Sequence, residues 1–355
     1  MLDTLRSGRL ALGPRLASFE ASFAAASGTS HVSAVSSGTA GLHLAVRAAG
    51  IQQGDDVVTT PFSFVASANC LLYEGANPVF CDIDPRTLNI SPEAAADALT
   101  ERTTGILPVH IFGYPVDMPA LELLSRDCGL WVVEDACEAL GAVYADGTPV
   151  GARGNLSVFG FYPNKQITTG EGGAVVSPSP ELKERIDSER NQGRAPDMGW
   201  LDHDRLGYNY RLDDLSCALG LAQLERLDEL LAARARVAGR YAEALGGVEG
   251  LDLPCEDRDG DRRSWFVYVV QLPRGMDRDA AVGAMREHGV DTKPYLPAIH
   301  LMSFYRERFG HREGEFPVCE DVAARSLALP FFPELGDGEV EQVAEALLAV
   351  MGRAA

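Results

Sequence analysis

From about residue 31 to residue 180, short runs of apolar and β-branched residues alternate with stretches whose apolar positions recur at helical spacing. HVSAVSS reads as a strand running into a turn. TAGLHLAVRAAG reads as a helix with Leu42, Leu44, Ala45 and Ala48 among its apolar positions. DDVVTTP and NPVFCDID follow as strands, SPEAAADALT as a helix capped by Ser91, and TGILPVHIFG as a further strand. A helix over MPALELLSRDCG, the strand LWVVED and the run LSVFGFY complete the series. Strands separated by helices predict βαβ units, and so an α/β fold with a mainly parallel sheet sandwiched by helices.

Residues 214 to 245 carry one long helical pattern rich in Ala and Leu, placed to join two parts of the chain. Beyond it the pattern changes. SWFVYVVQL is β-rich, DRDAAVGAMREHG helical and VDTKPYL strand-like. DGEVEQVAEALLAVM closes the chain as an amphipathic helix with Val340, Val343, Leu347 and Met351 on one stripe. The expected organisation is a large α/β unit over 1–235 and a smaller α+β unit over 236–355. The 355-residue length accommodates both, and no internal repeat interrupts them.

Composition narrows the function. Apolar residues at 46% and charged residues at 23% are ordinary for a folded protein. With 31 Lys and Arg against 51 Asp and Glu, the formal charge is −20, and no basic run offsets it, so nucleic-acid and anionic-membrane partners are disfavoured. Seven cysteines form no CxxC and no close Cys/His cluster, which fits free thiols in a reducing compartment and no metal. MLDTLRSGRLALGPRL lacks the basic start and apolar block of a secretory signal, and no segment approaches 18 uncharged apolar residues. A soluble, cytoplasmic protein is expected.

Three segments carry candidate chemistry. In SSGTAG, Ser37, Gly38 and Thr39 lie between a strand and a helix, where N–H groups, hydroxyls and the positive end of the helix dipole suit a phosphate; an ordinary N-cap would look the same. WVVEDACEALGA runs a strand into Glu134 and Asp135 at the edge where open α/β sheets bind ligands, and there Asp135 either pairs with a cation or caps the next helix. FGFYPNKQITTGEGG places Lys165 after an apolar strand, 30 residues beyond Asp135. A lone lysine in such a loop is commonly solvated. Together, however, the three parts are those that pyridoxal phosphate requires: a helix N-terminus for its phosphate, a carboxylate for its ring nitrogen and an amine for its aldehyde. Phe64, in PFSFVAS, is a candidate to stack on the ring. Walker, GxGxxG, HExxH and EF-hand patterns are absent.

The ordered motifs resemble the DegT/DnrJ/EryC1/StrS aminotransferases, pyridoxal phosphate enzymes of fold type I that mostly aminate keto sugars carried on nucleotides. The likeness covers nearly the whole chain, through AVSSGTAGLHLA, TTPFSFVASANC, VVEDACEALGA, FYPNKQITTGEGG, GYNYRLDDLSCALGLAQLERLD and KPYLPAIHL. It implies a seven-stranded-type sheet, Lys165 as the Schiff-base lysine and Asp135 as the pyridinium partner. Ser37, Gly38 and Thr39 would hold the phosphate, and Phe64 would stack on the ring. Asn209 would reach the phosphate of a neighbouring subunit, which implies a homodimer with shared sites. Arg190, Arg194, Arg211 and Lys293 are candidates for substrate carboxylates or a diphosphate.

The chain departs from the family pattern in three ways. Gly160 stands where many members have a phosphate-binding serine, and Glu138 where Gln or His is usual near the cofactor's phenolic oxygen. The chain also opens inside the LRSG segment, so the expectation is that some substrate-site residues carried before it in other members are missing or that the start is misassigned. The resemblance implies transamination from L-glutamate to a keto sugar, with pyridoxamine phosphate formed between the two halves. Aminocyclitol-forming enzymes and an aminobenzoate synthase or dehydratase are alternatives on the same fold; the deoxy-sugar dehydratases carry His in place of the lysine, so Lys165 favours transamination. A non-catalytic regulator is the alternative of another class. It would not need the Asp135/Lys165 pair, and no helix-turn-helix or basic arm occurs. Specificity is expected to reside in the loops 181–207 and 293–312.

Overall fold

The computed structural model describes residues 1–195, 202–258 and 260–354; residues 196–201 of the expected specificity loop lie outside the described residues. The first part of the chain runs α1 (Leu2–Ser7), α2 (Pro14–Ser27), β1 (His31–Val35), α3 (Gly38–Ala48), β2 (Asp56–Thr59), α4 (Ala66–Tyr73), β3 (Asn77–Phe80), α5 (Pro92–Asp97) and β4 (Thr103–Leu107). It continues through α6 (Met118–Cys128), β5 (Trp131–Asp135), β6 (Leu156–Gly160), β7 (Gly173–Ser177), α7 (Pro180–Arg190), α8 (Asp214–Leu224) and α9 (Leu227–Leu245). The last part holds β8 (Tyr268–Gln271), α10 (Arg278–Glu287), β9 (Lys293–Pro294), α11 (Ser303–Phe309), α12 (Pro317–Arg325), β10 (Ser326–Leu329) and α13 (Asp337–Ala354).

Seven strands form one sheet in the order β1-β7-β6-β5-β4-β2-β3. Every neighbouring pair is parallel except the two made by β7. Both faces are covered, which is why the strands read as continuous apolar runs. Alternate residues feed opposite layers: Val57, Leu107, Val133, Val158 and Val175 enter one core, and Val58, Ile106, Val132, Phe159 and Val176 the other. Ser37 caps α3 through Ala40 N, and Ser91 caps α5 through Ala94 N, as those hydroxyls foretell.

The single helix expected over 214–245 is two helices, parted by a turn at Glu225 and Arg226. No Gly or Pro marks the break. Its effect is to swing the chain from α2, against which α8 packs, to α13, against which α9 packs. Asp214 fixes the near end by accepting from Gly13 N at 2.7 Å and Arg15 N at 2.8 Å. Leu227 and Leu230 of α9 enter a core of the large sheet, whereas Val237, Tyr241 and Leu245 enter the core around the small sheet β8-β10-β9. The 235/236 boundary expected from sequence therefore falls within one helix. The strand read over VDTKPYL shrinks to Lys293 and Pro294, paired with Ala328 and Leu327, since Pro294 has no N–H to extend a ladder.

Candidate active site

The carboxyl ends of the parallel strands β2, β4, β5 and β6, and of β1, share one edge of the sheet, and the loops leaving them carry the singled-out residues. That edge is where open α/β sheets receive ligands. β1 leads into Ser37, whose Oγ is engaged by Ala40 N at 3.0 Å, leaving the first N–H groups of α3, on Gly38 and Thr39, without intrahelical acceptors. A Cβ at Gly38 would come within 2.8 Å of Cys137 Sγ, so any larger residue there would have to displace the Cys137 side chain that follows β5. A Cβ at Gly173 would meet the Ser37 carbonyl at the same distance, from the β7 side.

Glu134 and Asp135, adjacent on β5, face opposite ways. The Glu134 carboxylate is buried among His110 Nε2 at 3.0 Å, Asn155 Nδ2 at 3.0 Å and Tyr144 Oη at 3.1 Å. Burial pushes its carboxyl up, but His110 and the hydrogen bonds outweigh that and hold it below its ordinary range. Asp135 is also buried but accepts from Cys137 N, at 3.1 Å. Burial pushes its carboxyl up, against the weaker pull of Cys137 and of Lys165. It is an acid in want of a cation.

Lys165 sits in the turn after β6, its side chain 15% exposed, with Nζ 3.5 Å from Glu138 Oε1 and 3.9 Å from the centre of the Phe266 ring. Glu138 also accepts from Phe112 N at 2.9 Å, and its burial pushes its carboxyl up against Lys165 and that N–H. The structure thus brings Lys165, Asp135 and Glu138 into one electrostatic cluster. Gly160 lies beside Gly38, its Cα 3.5 Å from a Cβ built there, and a Cβ on Gly160 itself would meet Cys137 at an ordinary 3.4 Å. Phe64, between β2 and α4, is 63% exposed.

Asn209 is also exposed, and its sequence neighbours Tyr208 and Tyr210 stack their rings on each other. Tyr210 O accepts from Ser36 N at 2.8 Å, which ties this segment to the turn ahead of α3. Of the candidate cations, Arg190 is committed to Glu20, Asp187 and the Ala34 carbonyl. Arg211 donates to Asn191 Oδ1 at 3.0 Å, Lys293 is exposed on β9, and Arg194 lies at a bridge to His203. Among the described residues no group of three or more His, Cys, Asp or Glu is placed to hold a metal, and no helix is long and apolar enough to cross a membrane.

The model of the DegT/DnrJ/EryC1/StrS aminotransferase family matches residues 1–348. The chain belongs to that family. Spore coat polysaccharide biosynthesis protein SpsC of Bacillus subtilis (strain 168) is 37% identical over 358 residues, covering 97% of this chain and 92% of SpsC. DesV of S. venezuelae, solved in complex with a ketimine intermediate, superposes with a TM-score of 0.93 at 35% identity, covering 99% of this chain and 92% of DesV. 3-Amino-5-hydroxybenzoic acid synthase superposes at 0.92 with 31% identity, covering 99% and 95%. The fold is that of the pyridoxal phosphate aminotransferases, and the protein is an aminotransferase that uses this cofactor.

The residues present fit that cofactor. A buried carboxyl raised by desolvation suits a cationic ring nitrogen, an exposed phenyl ring at the sheet edge suits a planar ligand, and the glycine-floored start of α3 suits a phosphate. Sequence reading missed Phe266, whose ring lies under the Lys165 amine, and Cys137, which packs between Gly38 and Gly160. Phe266 was hidden in the run SWFVYVVQL, where an aromatic reads as core. Cys137 stood inside the VVEDACEALGA motif, and only the close approach of Gly38 reveals its contact.

Proposed function

We propose that this aminotransferase moves an amino group from L-glutamate to a keto sugar, most naturally one carried on a nucleotide. The observation that carries the reading is the Lys165 amine held 3.5 Å from the buried Glu138 carboxyl and within the field of Asp135, at the ligand edge of the sheet. The sugar assignment draws support from SpsC, whose name places it in polysaccharide biosynthesis. Bound pyridoxal phosphate supplies the electron sink that makes the substrate α-carbon acidic.

In this reading each residue has its own task. Lys165 Nζ would hold the cofactor and, as a free amine, would take the proton from the carbon that bears the amino group and hand it on within the site. Asp135 pairs with the ring nitrogen and keeps it protonated. The N–H groups of Gly38 and Thr39, with Ser37 shaping the turn, hold the phosphate, and Phe64 covers the ring face. Glu138, its carboxyl raised by burial against the pull of Lys165, would face the phenolic oxygen where Gln or His stands in other members.

A second copy of the chain completes the site. Asn209 is exposed on a segment tied to the phosphate turn, and Met1, Leu2, Leu5, Leu10, Leu12 and Leu206 present apolar surface that a partner would cover. The acceptor is tested by loading the protein with amino groups from L-glutamate and offering nucleotide-linked keto sugars, cyclitol ketones and aminobenzoate precursors. Turnover with keto sugars alone supports the proposal. Turnover with the aminobenzoate precursors alone favours the second reading, which the likeness to 3-amino-5-hydroxybenzoic acid synthase keeps in view.

A further inference from the structure

Along α9, Leu227, Leu230, Arg234, Val237, Tyr241 and Leu245 follow the three-and-four spacing of one helix stripe. Five of the six are apolar or aromatic and enter cores. Arg234 occupies a core position with a charge, and it is buried, at 5% exposure. A guanidinium there normally demands a carboxylate. The carboxylate that acts on it through space is that of Glu334, short of an ion pair, and burial pulls the guanidinium down to about 10. Among the described residues its Nε finds no acceptor.

All its hydrogen bonds go instead to backbone carbonyls on two segments. Nη2 donates to Lys165 O at 3.0 Å and Asn164 O at 3.5 Å; Nη1 donates to Phe266 O at 3.0 Å and Trp265 O at 3.4 Å. These segments carry the Lys165 amine and the ring beneath it, 3.9 Å away. The second segment is held in an unusual shape: Trp265 has φ +50°, and Phe266 N donates to the carbonyl of Phe112, itself at φ +55°. Left-handed backbone at bulky residues persists only where surrounding contacts impose it. Next to Lys165, Gln166 Nε2 donates to Glu138 O and to Ser264 Oγ, so the same two segments are tied a second time.

We propose that Arg234 is a positioning residue for Lys165: its guanidinium fastens the lysine turn to the Trp265–Phe266 kink and so holds the Lys165 amine between the Phe266 ring and Glu138. An apolar side chain would fill this stripe position without the desolvation cost, and one hydrogen bond would satisfy one carbonyl. The planar fork reaches both segments at once, which neither Lys nor Met can do. Because α9 spans the large-sheet core and the small-sheet core, the same contact makes the placement of the amine depend on how the two cores sit together.

The inference rests on the proposed role of Lys165, and the test separates the two. Arg234→Met and Arg234→Lys are compared with Tyr241→Phe, which removes the Tyr241 Oη to Pro330 O bond from the same helix, and with Lys165→Ala. Two readouts are taken: the rate at which apoprotein captures pyridoxal phosphate, and the split between kcat and KM for L-glutamate. Misplaced reacting groups cost about a hundredfold in rate, so Arg234→Met is expected to slow capture and kcat by about that factor with KM within about threefold, and Arg234→Lys to recover part. Tyr241→Phe is expected to lower the melting temperature and leave both readouts in place. If Arg234→Met changes the melting temperature alone, as Tyr241→Phe does, the inference is overturned. Should Arg234→Met not fold, Arg234→Lys carries the same comparison. Cofactor fixed by borohydride in Lys165→Ala would overturn the Lys165 reading itself.

Discussion

Along β5 consecutive side chains point to opposite faces, and this alone gives Glu134 and Asp135 different fates. Glu134 finds three donors and is held ionised by them; Asp135 finds a backbone N–H and is pushed toward its neutral form. Removing Glu134 as Glu134→Ala strands His110, Asn155 and Tyr144 and is expected to cost about 3–5 kcal/mol in denaturant melts, with cofactor capture retained in the folded protein. Asp135→Asn is expected to do the reverse. Since the folded-state pKa of Asp135 is raised, its burial penalty is fully felt at neutral pH and is relieved as pH falls toward the unfolded value of about 3.9. The apoprotein variant should therefore be more stable than the parent near neutrality, with the gap closing in acid, while kcat falls about 10²- to 10³-fold for want of a charged ring partner.

At the scale of elements, the six strands up to β6 and the helices α3, α5 and α6 were legible because continuous apolar runs alternate with helical spacing, and Ser37 and Ser91 announce their helices; α1, α2 and α4 were not singled out. β7 was not, because GGAVVS follows directly on the lysine loop and reads with it; in the fold it is the antiparallel strand that presses Gly173 against the Ser37 turn. The break at Glu225 and Arg226 was hidden because both residues are good helix formers. The meeting of Asp135 and Lys165 at one sheet edge was legible because each stands where a motif joins a strand end to a charged group. The site was illegible where distant segments meet, as at Phe266, which reaches Lys165 only through the tertiary fold. The turn before α3 depends on such a meeting too. Gly38→Ala places a Cβ 2.8 Å from Cys137 Sγ, and overpacking of this kind costs about 1–3 kcal/mol. Weaker retention of pyridoxal phosphate on dialysis should accompany that loss.

For the whole molecule, the family supplies small-molecule substrates, and a second copy of the chain is the partner proposed above. If Asn209 completes the neighbour's site, Lys165→Ala and Asn209→Ala chains mixed into one dimer rebuild one intact site from two defective parents. Activity in the mixture above that of either parent is expected, and a simple average of the two would refute shared sites. The central claim, that Lys165 holds pyridoxal phosphate and hands its chemistry to an amino donor, is tested most directly by the visible absorption spectrum of the purified protein before and after L-glutamate. The account expects a yellow protein that bleaches with glutamate alone and a Lys165→Ala variant that does neither. A parent protein that stays colourless with saturating pyridoxal phosphate, or a yellow one indifferent to every amino donor, would contradict it.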